Sequence, residues 1–248
     1  MKRPTILLVT SLVAAGVVLS QPPIPQDPGY HVFADVRDAL TLPNAHNVLS
    51  NLPFLLVGVA GVRLAWLRRG LRGNGAWLGL FLGIALTALG SAWYHLAPSN
   101  DSLVWDRLPM ALGFMALFAG IIGERISEHA YRLLLWPLIG LGVASVLYWR
   151  ASEAAGTGDL RLYILVQFFP LLMIPLIMAF YEPRYSHGAF LIYALVAYGA
   201  AKALEVFDVA VFSMTGGIVA GHALKHLAAA LGCWLLYLMY RDRAPLVV

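Results

Sequence analysis

The chain has 248 residues, 60% of them hydrophobic and 12% charged, about half the charged share of an ordinary soluble domain. With a mean hydropathy of +0.75, it carries more apolar side chain than one soluble core absorbs, so a soluble globular domain is excluded and apolar surface must face lipid. Lys and Arg exceed Asp and Glu by 17 to 13, but they stand at the ends of apolar runs, which is a membrane-topology pattern and not a nucleic-acid one; the single cysteine, Cys233, excludes an internal disulfide and reads as packing.

Lys2 and Arg3 precede an apolar stretch over 6–19. Two readings fit it: a cleavable signal segment with Val18-Leu19-Ser20 near the cleavage point, or an uncleaved short first helix, which is the favoured expectation. The proline-rich stretch 21–28 cannot be helical and opens a polar segment that runs to 46. Apolar runs of membrane-crossing length then follow at roughly 47–67, 76–96, 104–123, 131–149, 160–180, 187–206 and 218–240. They are separated by Arg68-Arg69-Gly70, Pro98-Ser99-Asn100-Asp101, Gly156-Thr157-Gly158-Asp159, Glu182-Pro183-Arg184 and Gly216-Gly217. The expected fold class is an all-α membrane protein: a seven-transmembrane-helix bundle over 47–240, an additional N-terminal hydrophobic helix or signal segment over 1–20, an extracytoplasmic segment over 21–46, and a short cytoplasmic tail over 241–248.

One face of this bundle collects Arg68, Arg69, Arg72, Arg125, Arg132, Arg184, Arg241 and Arg243, and the other holds Arg107, Arg150 and Arg161 offset by Asp101, Asp106, Glu153, Asp159 and Asp208. The positive-inside rule assigns the first face to the cytoplasm and the second to the outside, in agreement with Lys2 and Arg3. Short loops suit a bacterial inner membrane, with the second face periplasmic. Trp66, Trp77, Trp93, Trp105, Trp136, Trp149 and Trp234 read as interfacial belt residues, with Trp93 and Trp105 the two that can also line a site. Pro170 and Pro175 loosen the fifth span without implying a function.

Ionisable and polar groups inside membrane helices are costly and mark candidate sites. His222 and His226 are spaced i, i+4, so their imidazoles leave one helix face a turn apart, a spacing that suits two ligands of one zinc ion. Ser91 and His95 share a face in the same way. In an alternating bundle the end of the second span at His95, the start of the third near Asp106 and the start of the last near His222 fall on one side, the outer one. Three histidines would leave a fourth tetrahedral position for water, as catalytic zinc sites do. Asp106 suits holding that water and accepting its proton, and Ser91 suits a hydrogen bond to the water or an oxyanion. Blander readings stand beside these: Ser91 bonding back to a helix carbonyl, and Asp106 capping the third span or pairing with Arg107.

A serine four before a histidine, an aspartate eleven after it and before Leu108-Pro109-Met110, and a late His-x-x-x-His on seven spans resemble the alkaline ceramidases. These belong to a superfamily of seven-helix membrane hydrolases that also includes the adiponectin-type receptors. Asn47-Val48-Leu49-Ser50-Asn51 looks like that family's Asn-x-x-Ser-Asn signature, and the resemblance runs from about 33 to 227. It implies His95, His222 and His226 as zinc ligands, Ser91 and Asp106 as the groups that position water, and hydrolysis of the N-acyl bond of a ceramide or ceramide-like lipid. It also implies calcium, for which the nearest match here is Asp35, Asp38, Asn44 and Asn47. This chain departs there, with the Asp-x-x-Asp nearer the span and Asn44 where a glutamate is expected; the alternative is a polar loop in which Asp35 or Asp38 pairs with Arg37. A second departure is Leu224 and Lys225 between the histidines. Lys225 points away or pairs with Glu205 or Asp208, unless Lys202 pairs with Glu205 instead.

The expectation is a zinc-dependent amidohydrolase with the bilayer lipid as substrate and no nucleic-acid partner. The rivals are a zinc-containing receptor or sensor without hydrolase activity, and a transporter using His and Asp as a proton relay. Clustering of the polar groups at one face, and the lack of two similar halves, weigh against transport.

Overall fold

The computed structural model describes residues 2–39, 41–71 and 73–246. Met1, Val247 and Val248 of the expected end segments, Leu40, and Arg72 of the basic set lie outside these described residues. The helices, in chain order, are α1 (Arg3–Leu19), α2 (Ala45–Leu49), α3 (Leu52–Leu67), α4 (Asn74–Leu96), α5 (Asn100–Arg125), α6 (Glu128–Ala154), α7 (Arg161–Phe180), α8 (Ala189–Val206), α9 (Asp208–Met214) and α10 (Gly221–Asp242). Among the described residues there is no strand. Seven segments are long and apolar enough to cross a membrane, the first being α2 and α3 together (Ala45–Leu67). The expected all-α, seven-span bundle is therefore what forms. Helix α1 is present as a shorter apolar helix beside α7. Its end is tied to the start of α7, where Arg161 Nη1 donates to the carbonyls of Leu19 and Gln21 at 3.0 and 2.6 Å.

Three boundaries differ from the expected ones, each for a local reason. Pro53 has no N–H, and its ring conflicts with the carbonyl four residues back. The first run accordingly breaks at Ser50-Asn51 into α2 and α3. Helix α5 starts at Asn100, earlier than the apolar run, because Ser99 and Ser102 form a reciprocal cap: Ser102 N donates to Ser99 Oγ at 3.1 Å and Ser99 N to Ser102 Oγ at 3.0 Å. The last span starts at Gly221, behind the extra turn of helix α9, because Gly216-Gly217 divides the two.

Helix α5 is the most deeply buried of the spans and packs against α4, α6 and α7. Its approach to α4 is closest at Gly90, where an added Cβ would lie 1.9 Å from the Trp105 carbonyl oxygen. The two charge sets separate as expected. At one end Arg68 donates to the carbonyls of Tyr240 and Arg241, Arg125 to that of Tyr181, and Arg243 pairs with Glu124. At the other, Arg150 pairs with Asp101 at 2.5 Å and Arg161 with Asp159 at 2.7 Å.

The tryptophans divide. Trp66, Trp93, Trp105, Trp136 and Trp234 are exposed on the bundle surface, as an interfacial belt requires. Trp77 and Trp149 are fully buried and do not belong to it: Trp77 stacks on Tyr240 and donates to Glu124 at 2.7 Å, and Trp149 packs under Arg107. Trp93 and Trp105 face outward and are not on the wall of the cavity that holds Ser91 and Asp106.

A methyl at Gly90 must push α4 and α5 apart, so Gly90→Ala is expected to cost about 1–3 kcal/mol of stability. Melting in detergent checks this; Gly140→Ala, whose Cβ meets open space, should not lower the transition.

Candidate metal centre

His95 closes α4, and His222 and His226 stand on the first turns of α10. All three are buried. Their ring centroids form a nearly equilateral triangle, with separations of 4.9, 5.0 and 5.0 Å. One ligand atom from each lies within 4.8 Å of the others, which makes this the one group of His, Cys, Asp or Glu fitted for a metal ion among the described residues. The histidines expected to converge do converge.

The hydrogen bonds around the rings test whether they fit a metal. His95 Nδ1 and His222 Nε2 are buried with no hydrogen-bond partner, a rare condition for polar atoms unless something else satisfies them. His226 Nδ1 lies 2.7 Å from Ser50 Oγ. The Ser50 hydroxyl also reaches Asn47 O at 3.1 Å; with its proton there, Nδ1 is the donor and the lone pair is left on Nε2. That tautomer and orientation suit a metal-ligating histidine. A triad of imidazoles is a borderline-soft donor set of the kind zinc takes.

The site is assembled from the loop as much as from the helices. The break before Pro53 sets Ser50 against His226. Asn44 Nδ2 donates to the carbonyl of His95 at 2.9 Å, which satisfies an otherwise orphaned acceptor at the end of α4. Helix α10 has no side-chain cap of its own, and Asp208 serves instead: its Oδ1 accepts from His222 N at 2.7 Å and its Oδ2 from Ala34 N at 2.9 Å. This clamp holds Phe33 over the triad, with its ring centroid 4.8 Å from His95 and 4.5 Å from His222. Gly221 permits the packing, because a Cβ there would meet the Leu204 carbonyl oxygen at 2.3 Å.

Ser91 and Asp106 stand on the facing helices α4 and α5 and line the same cavity. The blander alternatives for both are not realised. Ser99 takes the capping role, Arg107 donates to Gln26 Oε1 at 2.6 Å, and among the described residues Ser91 makes no bond to a carbonyl of its own helix. Asp106 therefore sits well inside α5 and not at its start. Ser91, Asp106 and His226 line one cavity of about 310 Å³, which continues between apolar side chains such as Leu80, Ile84, Ile174 and Leu236.

The four residues matched to calcium are mostly committed elsewhere. Asp35 is buried, and its oxygens accept from Arg37 Nε at 2.8 Å, Arg37 Nη2 at 2.7 Å and His46 Nδ1 at 2.7 Å. The Arg37 guanidinium, helped by His46, holds the Asp35 carboxyl far below the usual carboxylate range. Asn47 Nδ2 donates to Asp35 O at 3.1 Å while its Oδ1 is buried without a partner. Asp38 is exposed. The Asp35–Arg37 pair of the alternative reading is present. Lys225 pairs with Glu205 at 2.7 Å, Lys202 pairs with the same carboxylate, and Asp208 is not the partner of Lys225. Residues that matter here without a role read from sequence are Ser50, present only as a letter of a motif, together with Phe33, Asp208 as a remote cap, Tyr30 and Arg107. Their roles depend on contacts across the fold.

His222→Ala should abolish stoichiometric metal by elemental analysis of the purified protein, and Ser50→Ala should weaken metal affinity about 10–100-fold through loss of ring orientation. For Asp35, whose pKa is lower in the folded state, the stabilisation is complete above its ordinary value of about 3.9 and fades as pH falls below it. The melting difference between wild type and Asp35→Asn should hold from pH 8 to about 5 and shrink towards pH 3; a difference that grows on acidification contradicts the pairing.

No protein-family model and no curated protein matches the chain.

Proposed function

We propose that the chain is a zinc-dependent intramembrane hydrolase that cleaves the N-acyl amide bond of a ceramide or ceramide-like lipid. The observation that carries this reading is the juxtaposition of three buried imidazoles, two with unpartnered ring nitrogens, with a cavity that has Ser91, Asp106 and His226 on its wall and apolar side chains along its length. The triad supplies neutral nitrogen ligands, the Ser91–Asp106 pair supplies proton handling, and the apolar extension suits an acyl chain arriving from the bilayer. When bound, zinc supplies a Lewis acid that brings the pKa of water from about 16 towards 7 and polarises a carbonyl.

The protein's own groups perform the remaining work. Asp106 orients water towards the amide carbon and accepts its proton as the carbon–oxygen bond forms. It returns that proton to the nitrogen as the carbon–nitrogen bond breaks, so the products are a fatty acid and an amine. Ser91 donates to Asp106 or to the developing oxyanion and fixes the orientation of the carboxylate. Phe33 and the loop clamp exclude bulk water from the outer side of the triad. By the positive-inside rule the metal end faces the outside, periplasmic in a bacterial cell, and the Arg-rich end faces the cytoplasm. The calcium suggested by family likeness finds less support, since Asp35 is already occupied by Arg37 and His46.

The test uses the full chain in neutral detergent, with elemental analysis and release of fatty acid from N-acyl sphingoid lipids. Asp106→Ala should lower kcat by about 10²–10⁴-fold with metal still stoichiometric, and His222→Ala should lose both metal and activity. Full hydrolysis by metal-free His222→Ala protein overturns the proposal. Stoichiometric metal with no cleavage of any amide or ester lipid favours a sensor.

A further inference from the structure

The cavity wall beside Asp106 carries a charge that hydrolysis of the amide does not use. Arg107 is 6% exposed. Its guanidinium carbon lies 4.2 Å from the ring centroid of Trp149, 4.8 Å from Tyr163 and 5.5 Å from Tyr30. Nη2 donates to Gln26 Oε1, but Nη1 is buried with no acceptor. No ion pair among the described residues includes this side chain. Aromatic faces attract a cation without neutralising it, so a buried charge that ordinarily demands a counter-charge is left without an ion-pair partner on a residue that lines the cavity.

Lys225 shares the Tyr30 ring, its Nζ lying 6.0 Å from the centroid. Lys225 and Lys202 both draw on the single carboxylate of Glu205, which also accepts from the Tyr30 hydroxyl at 3.2 Å. Arg107, Lys202 and Lys225 thus face Asp106 and Glu205 on the cavity wall, a net positive lining before any metal ion is counted. Such a lining favours a negative ligand and disfavours a cationic one. A neutral headgroup offers the guanidinium a hydroxyl or carbonyl acceptor but no counter-charge, whereas a carboxylate or phosphate supplies both.

We propose that Arg107, seconded by Lys225, is a recognition site for an anionic group, a carboxylate or a phosphate monoester, on the head of the bound lipid. Among ceramide-like N-acyl lipids, the favoured substrate is then one with a negatively charged head close to the amide, such as an N-acyl amino acid, in preference to a neutral ceramide. The assignment rests on the hydrolase reading for its substrate, but the anion site itself is testable by binding alone.

The probes are non-cleavable ketone isosteres in which CH2 replaces the amide NH. One pair is 4-oxononadecanoic acid, the isostere of N-palmitoylglycine, and its methyl ester. The other is the isostere of N-palmitoylethanolamine phosphate and its free alcohol. Equilibrium binding to the full chain in neutral detergent should favour the anionic member at least about 10-fold in one pair, and the pair that responds names carboxylate or phosphate. Arg107→Gln should bring that preference within about twofold, and Arg107→Lys should restore part of it. If Arg107→Gln does not fold, Lys225→Gln carries the test, with at least about a threefold fall in preference expected. Equal affinities within both pairs for the wild type, or an undiminished preference in the variants that fold, overturn the anion site. Because the probes are not cleaved, a preference in a protein that hydrolyses nothing overturns the hydrolase reading alone, and hydrolysis of neutral ceramide without any preference overturns the anion site alone.

Discussion

A polar group buried in a bundle whose outside is apolar has no water to fall back on, and every such group must be answered by another group of the protein. The site end of this molecule is organised by that constraint. Asp208 answers two backbone donors at once, His222 N and Ala34 N, and so joins the start of α10 to the incoming loop. Asp35 is answered by Arg37 and His46, and Glu205 by two lysines and a tyrosine. These bonds hold the loop that carries Phe33 over the histidines and the α2–α3 break that carries Ser50. The groups left unanswered then become informative: His95 Nδ1, His222 Nε2 and Arg107 Nη1 stand where a metal ion or a ligand anion would complete the set.

Close backbone approach is the second requirement. Helices without side-chain bulk between them bring small groups on facing surfaces into contact. Gly90 lets α5 reach α4 so that Asp106 meets Ser91, and Gly221 lets α10 seat against the end of α8. The first contact brings Ser91 and Asp106 to one cavity wall, and the second sets the height of His222 and His226 relative to His95. A methyl group at either position acts on the site through helix spacing, without touching a site residue.

The histidine triad and the cavity share His226, but they ask different things of the chain. The triad needs neutral rings in fixed tautomers. The cavity sets cations beside carboxylates along one wall and leaves the remainder apolar. Lys225 belongs to both, as a neighbour of the ligands in sequence and as a partner of Glu205 in space. The Glu205 carboxylate, 2.7 Å away, offsets the charge of a lysine that stands between two candidate metal ligands.

Composition and hydrophobic run length determined the fold class and the number of spans, because exposure to lipid imposes the same requirement on every residue of a run irrespective of its neighbours. The spacing of His222 and His226, and of Ser91 and His95, determined which groups share a helix face, because helical periodicity is local. Alternation of the spans brought these faces to one end. Sequence could not say that the first span breaks to deliver Ser50, that α5 begins early and sets Asp106 within the helix, or that Trp77 and Trp149 are core and not belt. Nor could it choose among Asp208, Glu205 and Lys202 around Lys225, or isolate Arg107 among three rings. The break before Pro53 and the Ser99–Ser102 cap are local, but the other outcomes depend on which groups meet in space, some far apart in the chain, as Asn44 meets the His95 carbonyl and Tyr30 meets Glu205, and pairings of that kind are decided by packing and by the need to satisfy buried polar atoms, which only the tertiary structure resolves.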